Sequence, residues 1–122
     1  MDTMTLDAFF SGYDDSRRLF EALCARVEGF GTMELRVSKS QVALLRRGKA
    51  FARVWVPGRY LRGKTAPLVL TLSFHHRDQS PRWKEVVEPY PGRFTHHLEL
   101  YAVSDVDDEV GAWLEESWES AG

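Results

Sequence analysis

Between Ser16 and Gly29 the apolar residues Leu19, Phe20, Leu23, Cys24 and Val27 recur at steps of three and four, with Arg17, Arg18, Glu21, Arg26 and Glu28 between them. That spacing predicts an amphipathic helix. Asp14, Asp15 or Ser16 suits its first turn, and Gly29 and Gly31 end it. A short helical piece over Leu6 to Phe10 precedes it. The period then changes to two. Met33, Leu35 and Val37 alternate with Glu34, Arg36 and Ser38, and Leu70, Leu72 and Phe74 alternate with Thr71, Ser73 and His75, as half-buried strands do. Gln41 to Arg46 and Ala50 to Val56 read as two further strands joined by an Arg47-Gly48-Lys49 turn, and Phe94 to Tyr101 as a fifth. Trp83 to Val87 fits either a short additional strand or a turn of helix. The end of the chain returns to helical spacing, with Val106, Val110, Trp113, Leu114 and Ser117 on one side, an acidic opposite side, and Ser104 or Asp105 as cap.

Helix, about five strands and helix make an α+β order. Short connections favour antiparallel neighbours, so the expectation is an antiparallel sheet with the N-terminal and C-terminal helices packed on one face. Leu35, Val37, Val54, Val56, Leu70, Leu72, Phe74, His96, Leu98 and Leu100 would then face the helices. Arg36, Phe51, Arg53, Trp55, Thr71, Ser73, His75, Thr95, His97 and Tyr101 would face away. This second set is aromatic, basic and hydroxylic.

Composition bounds the class. The chain has 122 residues, 43% of them hydrophobic, which is enough for one core and one domain spanning residues 1–122. No apolar run reaches membrane-spanning length and the opening MDTMTLDAFF is acidic, so a cytoplasmic protein without membrane association is expected. The single cysteine, Cys24, agrees with a reducing compartment. Charge is sorted by position: residues 36–97 hold 13 Lys/Arg against 3 Asp/Glu, residues 1–35 hold 3 against 7, and residues 98–122 hold none against 8. A one-signed middle points to an anionic partner, whereas the total of −2 argues against indiscriminate binding to polyanions.

Catalytic motifs are scarce. Gly58 to Thr65 matches G-x-x-x-x-G-K-[ST] literally, but a phosphate-cradling loop needs a parallel strand before it and a helix starting at its lysine, and here Ala66-Pro67 and a β-type run follow. The segment reads as a basic connection in which Arg59, Arg62 and Lys64 offer weak anion contacts. His75-His76 and His96-His97 each supply one imidazole to a given face, and pairing of their strands could set His75 beside His97. Two imidazoles fall short of a zinc ligand set, so no metal site is expected and no cofactor is implied. No nucleophile sits in a G-x-S-x-G turn, and an enzyme, with His97 as acid or base near Ser80 or Glu88, is not indicated.

Ser38-Lys39-Ser40-Gln41, Phe51-Ala52-Arg53-Val54-Trp55, Pro57-Gly58-Arg59-Tyr60-Leu61, Ser80-Pro81-Arg82-Trp83-Lys84-Glu85-Val86-Val87-Glu88-Pro89 and Gly92-Arg93-Phe94-Thr95-His96-His97, followed by a terminal helix with Trp113-Leu114, resemble the bacterial family called domain of unknown function 5655. The likeness covers nearly the whole chain and implies no activity. The helix, sheet, helix plan is also similar to YdhG-like domains and, more loosely, to frataxin, in which acidic helix residues handle iron and an exposed sheet Trp meets a partner. The basic sheet of this chain departs from that pattern.

The motif residues concentrate on Lys39, Gln41, Arg53, Trp55, Arg59, Tyr60, Arg82, Arg93, Thr95 and His97. Guanidinium forks with hydroxyl and imidazole donors suit a carboxylate or phosphate, and Trp and Tyr suit a flat ring. The expected site is an anion clamp of Arg82 and Arg93 with Lys39 and His97 beside Trp55. Its ligand would be a small molecule or a nucleic-acid phosphate. The alternative is a protein-interaction surface anchored by Trp55, Phe51 and Tyr60.

Overall fold

The stretch that fits both strand and helix joins the sheet, as the start of an edge strand. A computed structural model describes residues 4–122; Met1 to Thr3, part of the acidic opening, lie outside the described residues. The elements run α1 (Leu6–Phe9), α2 (Asp14–Glu28), β1 (Glu34–Val37), β2 (Val42–Arg46), β3 (Lys49–Trp55), β4 (Leu68–Phe74), β5 (Glu85–Tyr90), β6 (Arg93–Leu100) and α3 (Asp108–Ser120). The fold is α+β, and its antiparallel sheet has six strands in the order β1-β2-β3-β4-β6-β5, one more than the five expected. β5 escapes a periodicity reading because it is an edge strand exposed over most of its length and so has no buried face to mark it.

Turn chemistry sets the registers. Arg47 and Gly48 have φ of 52° and 80°, the pair of positive values that a two-residue type I′ hairpin between β2 and β3 requires. Pro91-Gly92 joins β5 to β6, with Tyr90 opposite Arg93. Each hairpin then slips by one residue. In β3, the register shift opposite Leu44 and Leu45 leaves Phe51 as an extra residue. Phe51 and Ala52 both enter the core, at 5% and 1% exposure, which corrects the outward placement of Phe51. Leu35 departs in the opposite sense: on the edge strand β1 it stays 38% exposed.

α3 packs on β3 and β4, and α2 packs on β4 and on α3. Leu19, Leu23, Val27, Val110, Trp113 and Leu114 share one buried cluster with Val54, Leu70, Leu72 and Leu98. The helix starts differ from the expected caps. Tyr13 precedes α2 with no side-chain cap bond, and Ser16 is buried and donates instead to the Pro67 carbonyl at 2.6 Å. Asp107, not Ser104 or Asp105, caps α3, accepting from the Val110 N–H at 3.1 Å. That bond, followed by Arg82, holds the Asp107 carboxyl below its ordinary value, although burial opposes this. Asp105 caps the short turn before α3, accepting from the Tyr101 and Ala102 N–H groups.

The β4–β5 connection is fastened to α3. Arg82 bonds the Asp107 carboxylate and Glu109 at 2.8 to 3.1 Å and the Asp105 carbonyl at 3.1 Å. Trp83 lies 4.2 Å from Trp113 and 4.8 Å from His96, centroid to centroid, and donates its indole N–H to Asp78 at 2.8 Å. His96 is fully buried. Its Nε2 accepts from the Asp78 N–H at 3.0 Å, so Nδ1 carries the proton donated to the Phe94 carbonyl at 3.1 Å. Desolvation by burial lowers its pKa, against the opposing Phe94 bond and Asp78 charge, and the imidazole is kept neutral.

Leu72, at 1% exposure in the middle of β4, tests the packing. Leu72→Ala is expected to cost about 2 to 5 kcal/mol in urea denaturation; a loss under about 1 kcal/mol would mean that this side chain is not core. His96 gives stability a pH dependence of definite sign. Its folded value lies below the unfolded one, so the unfolded chain binds the extra proton. Stability is therefore full above about pH 6.5 and falls as pH drops through that value, by at most about 1.4 kcal/mol per pH unit for one proton. Between pH 7.5 and 5 the wild-type protein should lose stability more steeply than His96→Gln; equal slopes would refute the assignment.

Candidate functional site

Strand parity and register line up one row across the sheet: Arg53 of β3 opposite Thr71 of β4, Thr71 opposite His97 of β6, and His97 opposite Glu85 of β5. Thr71 Oγ1 and His97 Nδ1 are 2.9 Å apart. Two residues along, Trp55 faces Val69 and Val69 faces Glu99. The chain after β3 leaves through a short turn at Pro57–Arg59, which brings Tyr60 back over the sheet. Tyr60 lies 6.4 Å from Trp55 between ring centroids, and its hydroxyl donates to the Lys39 carbonyl at 3.2 Å. The loop is thereby tied to the β1–β2 turn.

These residues line a groove. One compartment, of about 440 Å³, is walled by Ser40, Gln41, Arg53, Trp55, Tyr60, Thr71 and His97. A second, of about 520 Å³, lies on the other side of Trp55 and His97 and adds Pro57, Leu61, Arg62, Lys64, Thr65, Val69, Lys84, Glu85 and Glu99. A third, of about 370 Å³, continues from Arg53 to Lys49, Ala50, Ser73 and Arg93, with Ser120 of α3 and the following Ala121 at its end. Lys84 pairs with Glu99 at 3.1 Å. Among the described residues, Arg53, Arg62, Lys64 and Arg93 make no ion pair, whereas Arg17, Arg18, Arg26 and Arg82 each do.

Of the expected site residues, Gln41, Arg53, Trp55, Tyr60 and His97 come together, and Arg93 lies beside Arg53 in the third compartment. Lys39 contributes its carbonyl to the Tyr60 tie. Thr95, half-buried, stands on β6 between Ser73 and Val87. Three expectations need correction. Arg82 is spent on the acidic start of α3, where the hydrogen bonds it donates to Glu109 and then Asp107 raise its pKa against the opposing cost of burial, so the clamp of Arg82 with Arg93 does not form. Arg59 turns to α1, donating to the Phe9 carbonyl at 3.2 Å with its guanidinium 5.3 Å from the Phe9 ring centroid. Phe51, being core, is no surface anchor.

The histidines also separate. β4 ends at Phe74, so His75 lies past the strand, and the partner of His97 is Thr71. His76 contacts Glu116 at 2.6 Å. Ser80 Oγ accepts from the Arg82 N–H and Glu88 from the Gly92 N–H, so the acid that joins His97 in the groove is Glu85. Burial pushes the Cys24 thiol up to about 12, which makes it a poor nucleophile. No helix begins at Lys64, as the sequence context of the Gly58 to Thr65 segment implies.

Sequence reasoning, in which Glu85 is one of several acid–base candidates, does not place Glu85, Lys84 or Glu99 in the groove. A straight hairpin from the Pro91-Gly92 turn would set Val86 opposite His97; the register shift between Val87 and Tyr90 sets Glu85 there instead. Ser40, Thr71 and Ser73 were legible from parity or adjacency. The groove offers guanidinium and ammonium groups for an anion, Trp55 and Tyr60 for a planar group, and the His97 imidazole with a neighbouring carboxylate for a polar edge.

No helix among the described residues is long and apolar enough to cross a membrane. No curated protein and no solved structure matches the chain. A family model, described as a domain of unknown function (DUF5655), matches residues 6–121. The chain therefore belongs to the domain of unknown function 5655 family.

Proposed function

We propose that this protein is a binding domain, without catalysis of its own, for an organic anion that carries a flat ring, held in the groove around Trp55. The observation that carries the reading is a contrast in how cations are used. Arg17, Arg26 and Arg82 meet carboxylates, while among the described residues Arg53, Arg62 and Lys64 make no ion pair and line the groove around Trp55. Exposed arginine forks beside an aromatic surface are suited to a carboxylate or phosphate attached to a ring. The reading takes α2 and α3 to cover a single sheet face, which their mutual packing and common core support, and so leaves the Arg53, Trp55 and His97 face to ligand. It also takes the protein to be cytoplasmic, in keeping with one isolated, half-buried thiol.

A protein-interaction role retains Trp55 and Tyr60 but loses Phe51 as an anchor, and the free cations favour the anion. The test is a titration of ¹⁵N-labelled protein with a mononucleotide and an aromatic carboxylate. Signals of the Trp55 indole N–H and the His97 amide should shift, and those of Trp83 and Trp113 should stay. Arg53→Ala should weaken binding about tenfold, since a charge-assisted contact is worth about 1.5 to 3 kcal/mol, with little change in stability. Shifts confined to the helix layer, or none at millimolar ligand, would sink the reading.

A further inference from the structure

The groove is longer than one small ligand requires. Its three compartments, of about 520, 440 and 370 Å³, are linked through shared lining residues, and the third reaches the C-terminal end of α3 at Ser120. Trp55 and His97 are common to the first and second, and Arg53 to the second and third. Each compartment lies within the roughly 300 to 1,000 Å³ range that a single small ligand fills. Along β3 alone the run from Lys49 to Trp55 covers roughly 20 Å at about 3.3 Å per residue.

The order of chemistry along that length is cation, ring, cation. Arg62 and Lys64 stand at one end, Trp55 in the middle, and Arg53 with Lys49 and Arg93 at the other. A compact anion would engage one end and leave the other cations idle. A duplex keeps its bases stacked inside and presents their edges but not their faces, so the ring would have nothing to stack on. A single strand alternates phosphate and exposed base along its length, which is the arrangement that basic grooves with stacking side chains accommodate. The acid in the groove fits as well. Lys84 neutralises Glu99 at 3.1 Å, which leaves Glu85 as an acceptor for a base amino group or a sugar hydroxyl.

We propose that the groove binds single-stranded nucleic acid over several nucleotides, with one base on Trp55 and phosphates on Arg53 and on the Arg62–Lys64 loop. This rests on the preceding reading of the groove as an anion site and extends it from one ligand to a chain.

Fluorescence anisotropy of the full chain with a labelled octathymidylate, at 50 to 200 mM salt, tests it. Thymidine monophosphate, a duplex of equal length and polyglutamate serve as competitors. Affinity should rise at least tenfold from mononucleotide to octamer, and log K should fall with log salt by about 0.7 per phosphate contact, so Arg53→Ala and Arg62→Ala should each lower the slope by about that amount. Arg18→Ala, an equal charge change on α2, should leave binding unchanged, and circular dichroism checks that the variants fold. Equal affinity for mononucleotide and octamer overturns the extension and leaves the small-ligand reading standing. Failure of both to bind at 50 mM salt overturns both. Polyglutamate or duplex competing as well as the octamer, or Arg18→Ala weakening binding as much as Arg53→Ala, shows a diffuse charge effect and overturns the extension.

Discussion

The fastening of the β4–β5 connection to α3 is the contact on which the rest of the molecule depends. Arg82 spans from the cap residue Asp107 to Glu109 and the Asp105 carbonyl, and Trp83 lies against Trp113, His96 and Phe74. The two halves of this contact differ in weight. Asp107 and Glu109 are about half exposed, so each ion pair is screened to about 1 kcal/mol or less. Burying a large side chain such as Trp83 stabilises by about 1.5 to 3 kcal/mol, with about 0.5 to 1.5 kcal/mol more from each well-placed aromatic pair. The tryptophan therefore holds the loop, and the arginine directs it to the acidic helix start. Without this anchor β5 would have only β6 to hold it, and the Lys84–Glu85 wall of the groove would lose its position.

The same contact explains how a chain with such separated charges folds. The acidic C-terminal segment is drawn to arginines from the rest of the chain: Arg82 meets Asp107 and Glu109, Arg26 meets Asp108, and Arg46 stacks on Trp118 while donating to its carbonyl. The middle segment has more cations than these contacts use. Part of that surplus, Arg53, Arg62 and Lys64, lies around Trp55. Charge that the sequence shows as three blocks is thus only partly paired in space: a few arginines tie the acidic end of the chain to its neighbours, and other cations line the groove. That division is why the proposed ligand is an anion although the chain as a whole is slightly negative.

Periodicity made most of the fold legible, because helices and central strands each bury one side and the sequence must mark it. Leu19, Leu23 and Val27 announce α2, and Leu70, Leu72 and Phe74 announce β4. What stayed hidden has local causes. β5 buries no continuous side, and the two register shifts depend on how a strand meets its neighbour, so no single-strand pattern reveals Phe51 turning inward or Glu85 meeting His97. At the site, parity alone placed Arg53, Trp55 and His97 together. Arg82 and Arg59 went astray because they lie in connections, where parity does not apply and the direction of a long side chain depends on which carbonyl or carboxylate the loop passes.

The edges of the sheet narrow where a partner can dock. β1 is four residues long with Glu34 and Arg36 exposed, and β5 carries Pro89, which has no N–H to offer an added strand, together with Glu85 and Glu88. Short, charged or proline-bearing edges disfavour strand addition. The middle of the sheet is different. Trp55, Thr71 and His97 are each only partly covered, although they sit on central strands where a chain with no use for them could have placed small or purely solvated residues. Trp55 and Arg53 present a flat ring and a guanidinium fork to the same groove, a pairing suited to a planar anion. The row from Arg53 through Thr71 to His97 lies on β3, β4 and β6, whose ladder hydrogen bonds fix its spacing, whereas Tyr60, Arg62 and Lys64 lie on the connection between β3 and β4.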